Sequence, residues 1–494
     1  MILSAITNML SPLPLFLMAA SCMGGLIVGS IPGLTSTMAI ALLVPLTFGM
    51  SMHLALAMLI GVYIGAISGG LVAATLLSIP GTPASASTTF DAFPMTRKGE
   101  AGKALAYGVF ASFLGSLLSF FALAVCAPLL GSLAIHFSSY EYLALIIFTL
   151  TCIISISGKS LLKGMISTCI GMLLSCVGLC VLDGSSRFTF GLINLEAGLA
   201  VVPVLIGVYA MSQVLKDIEN INKPFELHRA DFTLKEFAAV VRTFRHSIKN
   251  VIRSSALGVG IGILPGIGPG LSNIVAYSQA RDASPHPETF GTGDPDGIIA
   301  SESANNAATG GALIPMLTLG IPGDASTMML IGAFMIHGIE PGPLLFANHQ
   351  DIVVTVLAAY LISNFFMLFW QVNCIRVLIK ALLIPRHILY PIIVAMCVVG
   401  CFALSSNLTD VWVFAVVGLA GYFLTVTGFP ILPLVLGLIL GHMAERELSA
   451  CWLAGDNSLW GIMDRPVALF FIAAAVFSVI YGLRGRRKRM AGGA

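Results

Sequence analysis

Uncharged apolar runs of roughly 18 residues or more constrain this chain more than any other feature, because a helix of that length crosses the hydrocarbon core of a bilayer. Leu13 to Ile31, Leu105 to Leu130, Ile352 to Phe369 and Pro466 to Leu483 are such runs. Only 10% of the 494 residues are charged and 57% are hydrophobic, whereas a soluble domain carries roughly 25% charged residues. No polar stretch is long enough to form a soluble domain, so nearly all the mass belongs in the membrane, and a nucleic-acid partner is not expected. Backbone in lipid must satisfy its own hydrogen bonds, and the expected fold is an all-α integral membrane protein. Several apolar segments are short or broken by Gly and Pro, which predicts roughly 11–12 transmembrane helices with re-entrant or broken helices beside them.

Charge placement orients the chain. The first basic residue is Arg97, so the N-terminus lacks the basic region of a secretory signal and the first apolar run reads as a retained span. The tail Arg484-Gly485-Arg486-Arg487-Lys488-Arg489 directly follows the last run, and the positive-inside rule places that C-terminus in the cytoplasm. With this end fixed, Arg97–Lys103, Lys159–Lys163, Lys216–Arg253 and Arg376–Arg386 fall on the same side. Of the 25 Lys and Arg, only Arg187, Arg281, Arg446 and Arg465 are assigned to the outside. The side of the N-terminus depends on whether 36–50 crosses or folds back. One sizeable polar linker, 216–250, reads as a cytoplasmic connector between a first transmembrane repeat at 1–215 and a second at 251–494. The ten cysteines include no Cys-x-x-Cys; Cys176/Cys180 and Cys397/Cys401 read as packing residues.

Two Pro-Gly breaks recur in each half in the same order. Ile31-Pro32-Gly33 and Ile79-Pro80-Gly81 correspond to Leu264-Pro265-Gly266 and Ile321-Pro322-Gly323. Ser68-Gly69-Gly70 precedes one break as Thr309-Gly310-Gly311 precedes its counterpart, and Ala84-Ser85-Ala86-Ser87-Thr88 echoes Ala325-Ser326-Thr327. Weak internal symmetry of this kind is a hallmark of secondary transporters. The first-half break leads to Arg97 and Lys98, whereas 337–351 after its counterpart has no Lys or Arg, so the repeats are expected to have inverted topology. Proline removes a backbone donor and glycine permits unusual torsions. The breaks are then either close-packing kinks or half-helix ends whose free N–H groups receive a carboxylate. Four breaks in matched pairs favour the second. The expected substrate-binding residues are Thr35, Ser36, Pro80, Gly81, Thr82, Ser85, Asn273, Asn305, Asn306, Pro322, Gly323, Ser326 and Thr327.

Acidic residues in apolar surroundings are costly and usually functional. Ser301-Glu302-Ser303-Ala304-Asn305-Asn306 places a carboxylate and two amides on one helical face, though the stretch could instead cap a helix at the interface. Asp324 and Asp91, after matching breaks, read equally as an N-cap and a loop residue. Because these segments contain no Lys or Arg, an anionic substrate needs co-bound cations, and hard oxygen ligands suit a small hard cation. Glu302, Asp324, Gly33 and Gly266 are the expected cation-coupling residues, with Na⁺ near them or H⁺ in its place; no other cofactor is expected. No P-loop, H-E-x-x-H or G-x-S-x-G is present, so neither direct ATP drive nor an enzyme is predicted, and no catalytic residue is assigned. His337 and His442 read as structural.

Two long stretches carry a resemblance. Gly65-Ala66 … Ile79-Pro80-Gly81-Thr82-Pro83-Ala84 … Asp91 … Pro94-Met95 … Gly99 … Ala104-Leu105 resembles one signature of the large membrane subunit of tripartite tricarboxylate transporters, the TctA family. Glu302 … Asn305-Asn306-Ala307 … Gly310-Gly311-Ala312-Leu313-Ile314-Pro315 … Leu319-Gly320-Ile321-Pro322-Gly323 … His337-Gly338 … Pro341-Gly342-Pro343 resembles another. The resemblance implies a Na⁺- or H⁺-driven symporter of carboxylates such as citrate in the bacterial inner membrane. It also implies two partners, a small membrane subunit and a periplasmic solute-binding protein. The chain departs from the family at Ser68, at Ala92-Phe93 and at Asp324. By analogy with other binding-protein-dependent carriers, an elevator-like movement is expected. A stand-alone carrier or channel for small organic anions is the alternative.

Overall fold

The computed structural model describes residues 2–156, 160–180, 183–219, 232–454 and 459–491. Lys159 and residues 220–231 of the central linker lie outside the described residues, as do the side chains of the basic tail. Among the described residues the regular structure is helical apart from one short antiparallel pairing of Gly178–Leu179 with Ser186–Arg187. Seven helices among the described residues are long and apolar enough to cross a membrane: Pro12–Ser30, Met52–Leu77, Ala101–Ala134, Val201–Ile218, Gln350–Ala381, Arg386–Ser405 and Leu408–Val426. The protein is an all-α integral membrane protein. Other apolar segments, such as Ser36–Leu43 and Ala325–Ile336, fall below spanning length because the Pro-Gly breaks cut them short.

Two compact units form, each drawing on both sequence halves: 1–132 with 217–404, and 133–216 with 405–494. The first contains all four breaks. Its helices are α1 (Pro12–Ser30), α2 (Ser36–Leu43), α3 (Met52–Leu77), α4 (Thr89–Arg97), α5 (from Ala101), α6 (Ile248–Ile263), α7 (Gly268–Asp282), α8 (Pro295–Leu319), α9 (Ala325–Ile336), α10 (Gln350–Ala381) and α11 (Arg386–Ser405).

Glycine sets the closest contacts. A Cβ on Gly25 would stand 2.4 Å from the Val62 carbonyl oxygen, and one on Gly29 would stand 2.1 Å from that of Ala66. Gly258 meets Ala304 and Gly262 meets Ala308 in the same way, at 2.3 and 2.5 Å. Helices in lipid approach this closely only where small residues remove the side-chain barrier. The contacts advance together along both members of each pair, so α1 runs parallel to α3, and α6 runs parallel to α8. Beyond the second break of each half the chain folds back. Gly81 packs on Gly29 and Gly70, as Gly323 packs on Gly262 and Ala312.

α7 returns antiparallel along α8, with Ser272 against Ala304 and Tyr277 against Gly297. It therefore re-enters the face from which α6 came. On that face the Asn250 amide donates to the Asp296 carbonyl at 2.9 Å. The Asp91 carboxylate accepts from the N–H groups of Gly291, Gly293 and Asp294, each at 2.8 Å, and from the Tyr277 hydroxyl at 2.9 Å. Gly293 also lies against Met95 and Lys98. Arg281, one turn past Tyr277, thus shares a face with Arg97 and Lys98. This corrects its assignment to the opposite side, which arose because the sequence does not reveal that α6 and α7 form a hairpin rather than two crossings. Asp91 is buried in this arrangement, not an open loop residue. α3 runs from His53, which touches Asp351 and Thr355 of α10, to Thr75, which accepts from Thr96 at 2.8 Å. α3 and α8 consequently run in opposite directions.

The second unit is tied by Gly171 and Gly437 at the contact of Leu161–Ser175 with Ile431–Ala454. Arg187 grips Glu445 with two hydrogen bonds, of 2.8 and 3.0 Å. A π-helical stretch, Gly207–Met211, packs on Phe414 and Gly418. All ten cysteines are free thiols.

A buried polar cluster at interrupted helices

Each Pro-Gly sequence interrupts a helix. α1 stops at Ser30 and α6 at Ile263, and Gly33 and Gly266 follow with φ of +97° and +75°. α3 and α8 end in left-handed residues, Ser78 (φ +58°) and Gly320 (φ +69°), just ahead of Pro80 and Pro322. The chain after the second break of each half lands on the other half's long helix, Ala84 and Thr88 on α8 and Asp324 on α3.

One cluster forms where Ala84–Thr88 meets α7 and α8. The Glu302 carboxylate, fully buried, accepts from the Thr88 hydroxyl at 2.6 Å, the Ser112 hydroxyl at 3.0 Å and the Asn305 amide at 3.3 Å. Asn305 also donates to the Ala84 carbonyl at 2.8 Å, and Asn306 accepts from Ser68 of α3. The Asn273 carbonyl oxygen accepts from the N–H and the hydroxyl of Ser87, whose hydroxyl also meets Ser301 at 2.9 Å. Ser85 turns back on the Thr82 carbonyl, and Gly81 and Pro80 lead into this turn. Thr82 precedes Pro83 in extended conformation, but its hydroxyl forms no cap and is buried without a partner.

The other cluster forms where α9 meets α2, α3 and the tip between α6 and α7. Asp324 is the N-cap of α9 and closes a reciprocal capping box with Thr327. Its second oxygen accepts from the Tyr63 hydroxyl at 2.9 Å. Ser326 meets Ser36 at 2.7 Å and Thr37 at 3.4 Å. Thr35 caps α2 by accepting from the Met38 N–H. Gly268 lies so close to Asp324 that a Cβ would stand 2.5 Å from the aspartate Cβ. Tyr63 and Ser68 are neighbours on α3, roughly 7–8 Å apart along the axis, so α3 links the two clusters.

The expected residues thus divide. Asn273, Asn305, Asn306, Glu302, Ser85 and Thr82 gather around the first-half break segment. Thr35, Ser36, Ser326, Thr327 and Asp324 gather around the second, which Pro322 and Gly323 introduce. Gly266 lies two residues from Gly268 at the Asp324 cluster. Gly33 likewise lies two residues before Thr35, and there it faces the Asp217 carboxylate, where a Cβ would stand 2.7 Å from Oδ2. The neighbouring Pro32 carbonyl accepts from Arg386 at 3.1 Å. No group of three or more His, Cys, Asp or Glu side chains capable of holding a metal occurs among the described residues. Any cation here would need hydroxyl, amide and carbonyl oxygens in its shell, donors that Na⁺ accepts.

Sequence reasoning left Tyr63, Thr88, Ser112 and Ser301 off the site. Thr88 and Ser301 carried a signal, since they stand in the repeated post-break segment and in the polar stretch at Glu302. Tyr63 and Ser112 lie inside apolar runs, and only tertiary packing brings them to the carboxylates.

Fold and cluster together define a multi-pass membrane protein whose polar groups converge inside the protein at paired helix interruptions. The chain matches the family described as "Tripartite tricarboxylate transporter TctA family" over residues 15–436, and it belongs to that family, one of transporters and not of enzymes. It is similar to an uncharacterised 52.8 kDa protein from the TAR-I ttuC' 3' region of Agrobacterium vitis, 35% identical over 460 residues, which cover 93% of this chain and 91% of the relative. It is also similar to an uncharacterised protein from the TAR-II ttuC' 3' region of the same organism, 33% identical over 223 residues, 45% of this chain and 92% of that one. No solved structure matches.

Proposed function

We propose that this tricarboxylate transporter subunit is the translocating part of a cation-coupled secondary importer, taking up carboxylates of the tricarboxylate type with Na⁺ or H⁺ as driver. A small membrane subunit and a periplasmic solute-binding protein complete it, in a bacterial inner membrane, with the basic face and C-terminus in the cytoplasm. The observation that carries the reading is Glu302: a fully buried carboxylate between the two halves, with hydroxyl and amide donors around it and no Lys or Arg in ion-pair contact among the described residues. A substrate carboxylate placed about 4 Å from Glu302 would meet repulsion on the order of 4 kcal/mol at a protein-like dielectric. A cation bound between them turns that repulsion into attraction, so substrate and cation bind together and move together.

The two sequence halves are read as inverted-topology repeats, 1–215 and 251–494 about the linker 216–250. Matched glycine contacts in oppositely running helix pairs support this. The proposed substrate groups are those of the two clusters, with Glu302 and Asp324 nearest the cation. The test is uptake of labelled citrate into proteoliposomes under a Na⁺ gradient, a pH gradient or neither. Gradient-driven accumulation that requires the two partner components is expected. Uptake by the chain alone, or uptake indifferent to both gradients, would overturn the reading.

A further inference from the structure

We propose that α5 and α10 form an access path along which the coupling cation travels between the His53–Asp351 face and Glu302. This rests on the reading above only in that Glu302 meets the cation. A seam of buried oxygen atoms runs between these helices. On α5, Ser112, Ser116 and Ser119 share one face and are fully buried. Ser112 touches the Glu302 carboxylate at 3.0 Å. Two turns further on, Ser119 meets the Tyr360 hydroxyl of α10 at 2.7 Å, and Tyr360 also meets Thr309 of α8 at 2.7 Å. Further toward the start of α10, Thr355 meets His53 Nδ1 at 2.8 Å, and His53 Nε2 stands 3.4 Å from the Asp351 carboxylate. These two last side chains are 33% exposed, which makes them the mouth of the seam, with a negative charge to attract a cation.

Hydroxyls in membrane helices commonly fill space and return their proton to a carbonyl of the preceding turn. Part of this seam does not behave so. The side-chain oxygens of Asn364 and Gln371 are buried with no hydrogen-bond partner. The two amides spend their N–H groups on main-chain carbonyls, Asn364 on Phe113 at 3.3 Å and Gln371 on Ser68 at 3.0 Å. Their carbonyl oxygens are thereby left unpaired in the interior. Unpaired buried oxygens cost stability unless something uses them. Acceptor oxygens with no Lys or Arg among them offer partial coordination to a small cation and repel an anion, so the seam selects the driver and not the carboxylate.

The test is cation dependence of citrate uptake by the complete transporter in proteoliposomes, for Ser116→Val, Asn364→Leu and Tyr360→Phe. Thr318→Val is the control, a buried hydroxyl off the seam. Each seam variant is expected to raise the half-saturating cation concentration about tenfold or more, the size of losing one partner of a charged group, with Ser116→Thr retaining wild-type behaviour. Tyr360→Phe removes a single oxygen and keeps the inference testable should a bulkier change fail to fold. Folded seam variants with wild-type cation dependence would overturn the path. If wild-type uptake ignores both gradients, the proposed coupling itself fails instead.

Discussion

At the scale of single residues, the two buried acids have separable duties. Asp324 caps α9 with one oxygen and receives Tyr63 with the other. Asn caps a helix about as well as Asp, while Ala forfeits roughly 0.5–2 kcal/mol. Asp324→Asn should therefore leave the thermal unfolding midpoint of the purified protein near wild type, and Asp324→Ala should lower it measurably. If Asp324 serves the cation as well, Asp324→Asn should still weaken cation dependence while stability holds. Equal stability of both variants would contradict the capping role. Asp91 gathers three backbone N–H groups and the Tyr277 hydroxyl. Asp91→Ala leaves those backbone N–H groups and the hydroxyl without their acceptor, and a loss of about 1–3 kcal/mol is expected, read as a fall in the unfolding midpoint. The sequence made Glu302, Asn305, Asn306 and Asp324 visible because polar groups in apolar runs are conspicuous. It could not reveal Tyr63 or Ser112, since a tyrosine or serine within a span looks like ordinary packing until the neighbouring helix is in place.

At the scale of helices, the repeat rests on glycines rather than on prolines alone. Gly29 and Gly262 stand with 2.1 and 2.5 Å between a would-be Cβ and a carbonyl oxygen, whereas nothing lies within 4 Å of Gly24 or Gly260. Gly29→Ala and Gly262→Ala should sharply reduce the monodisperse, folded fraction on size-exclusion chromatography. Gly24→Ala and Gly260→Ala should leave it intact or raise it, because Ala is the better helix former. Like outcomes for both sets would mean that α1/α3 and α6/α8 are not packed as described. Ser78 holds a left-handed backbone where its counterpart is Gly320, a conformation costing an L-residue roughly 1–2 kcal/mol. Ser78→Gly should be neutral or stabilising in the same assay. All four breaks were legible from sequence. The parallel course of α1 with α3 was not, because direction across the membrane depends on whether α2 and α7 cross or return.

At the scale of the whole molecule, the face carrying Arg97, Lys98 and Asn250 also carries Arg281 and the 283–294 loop. Single cysteines replacing Lys103 and Glu288 in a cysteine-free background should react with an impermeant thiol reagent from one and the same side of the membrane. Labelling from opposite sides would break the hairpin assignment of α6 and α7. The charge pattern grouped Arg97 and Lys98 with the segment at Asn250, and these do share one face. It misplaced Arg281 because one charge at the end of a short helix carries too little weight against an assumed crossing.

The most direct measurement of the central claim is the initial rate of citrate uptake by wild type and Glu302→Gln, reconstituted with the two partner components, under a Na⁺ gradient, a pH gradient or neither. Gln keeps the size of the side chain and removes its charge. One gradient is expected to accelerate wild type about tenfold or more, and a folded Glu302→Gln protein to lose this acceleration. Gradient-driven uptake undiminished in Glu302→Gln would contradict the claim.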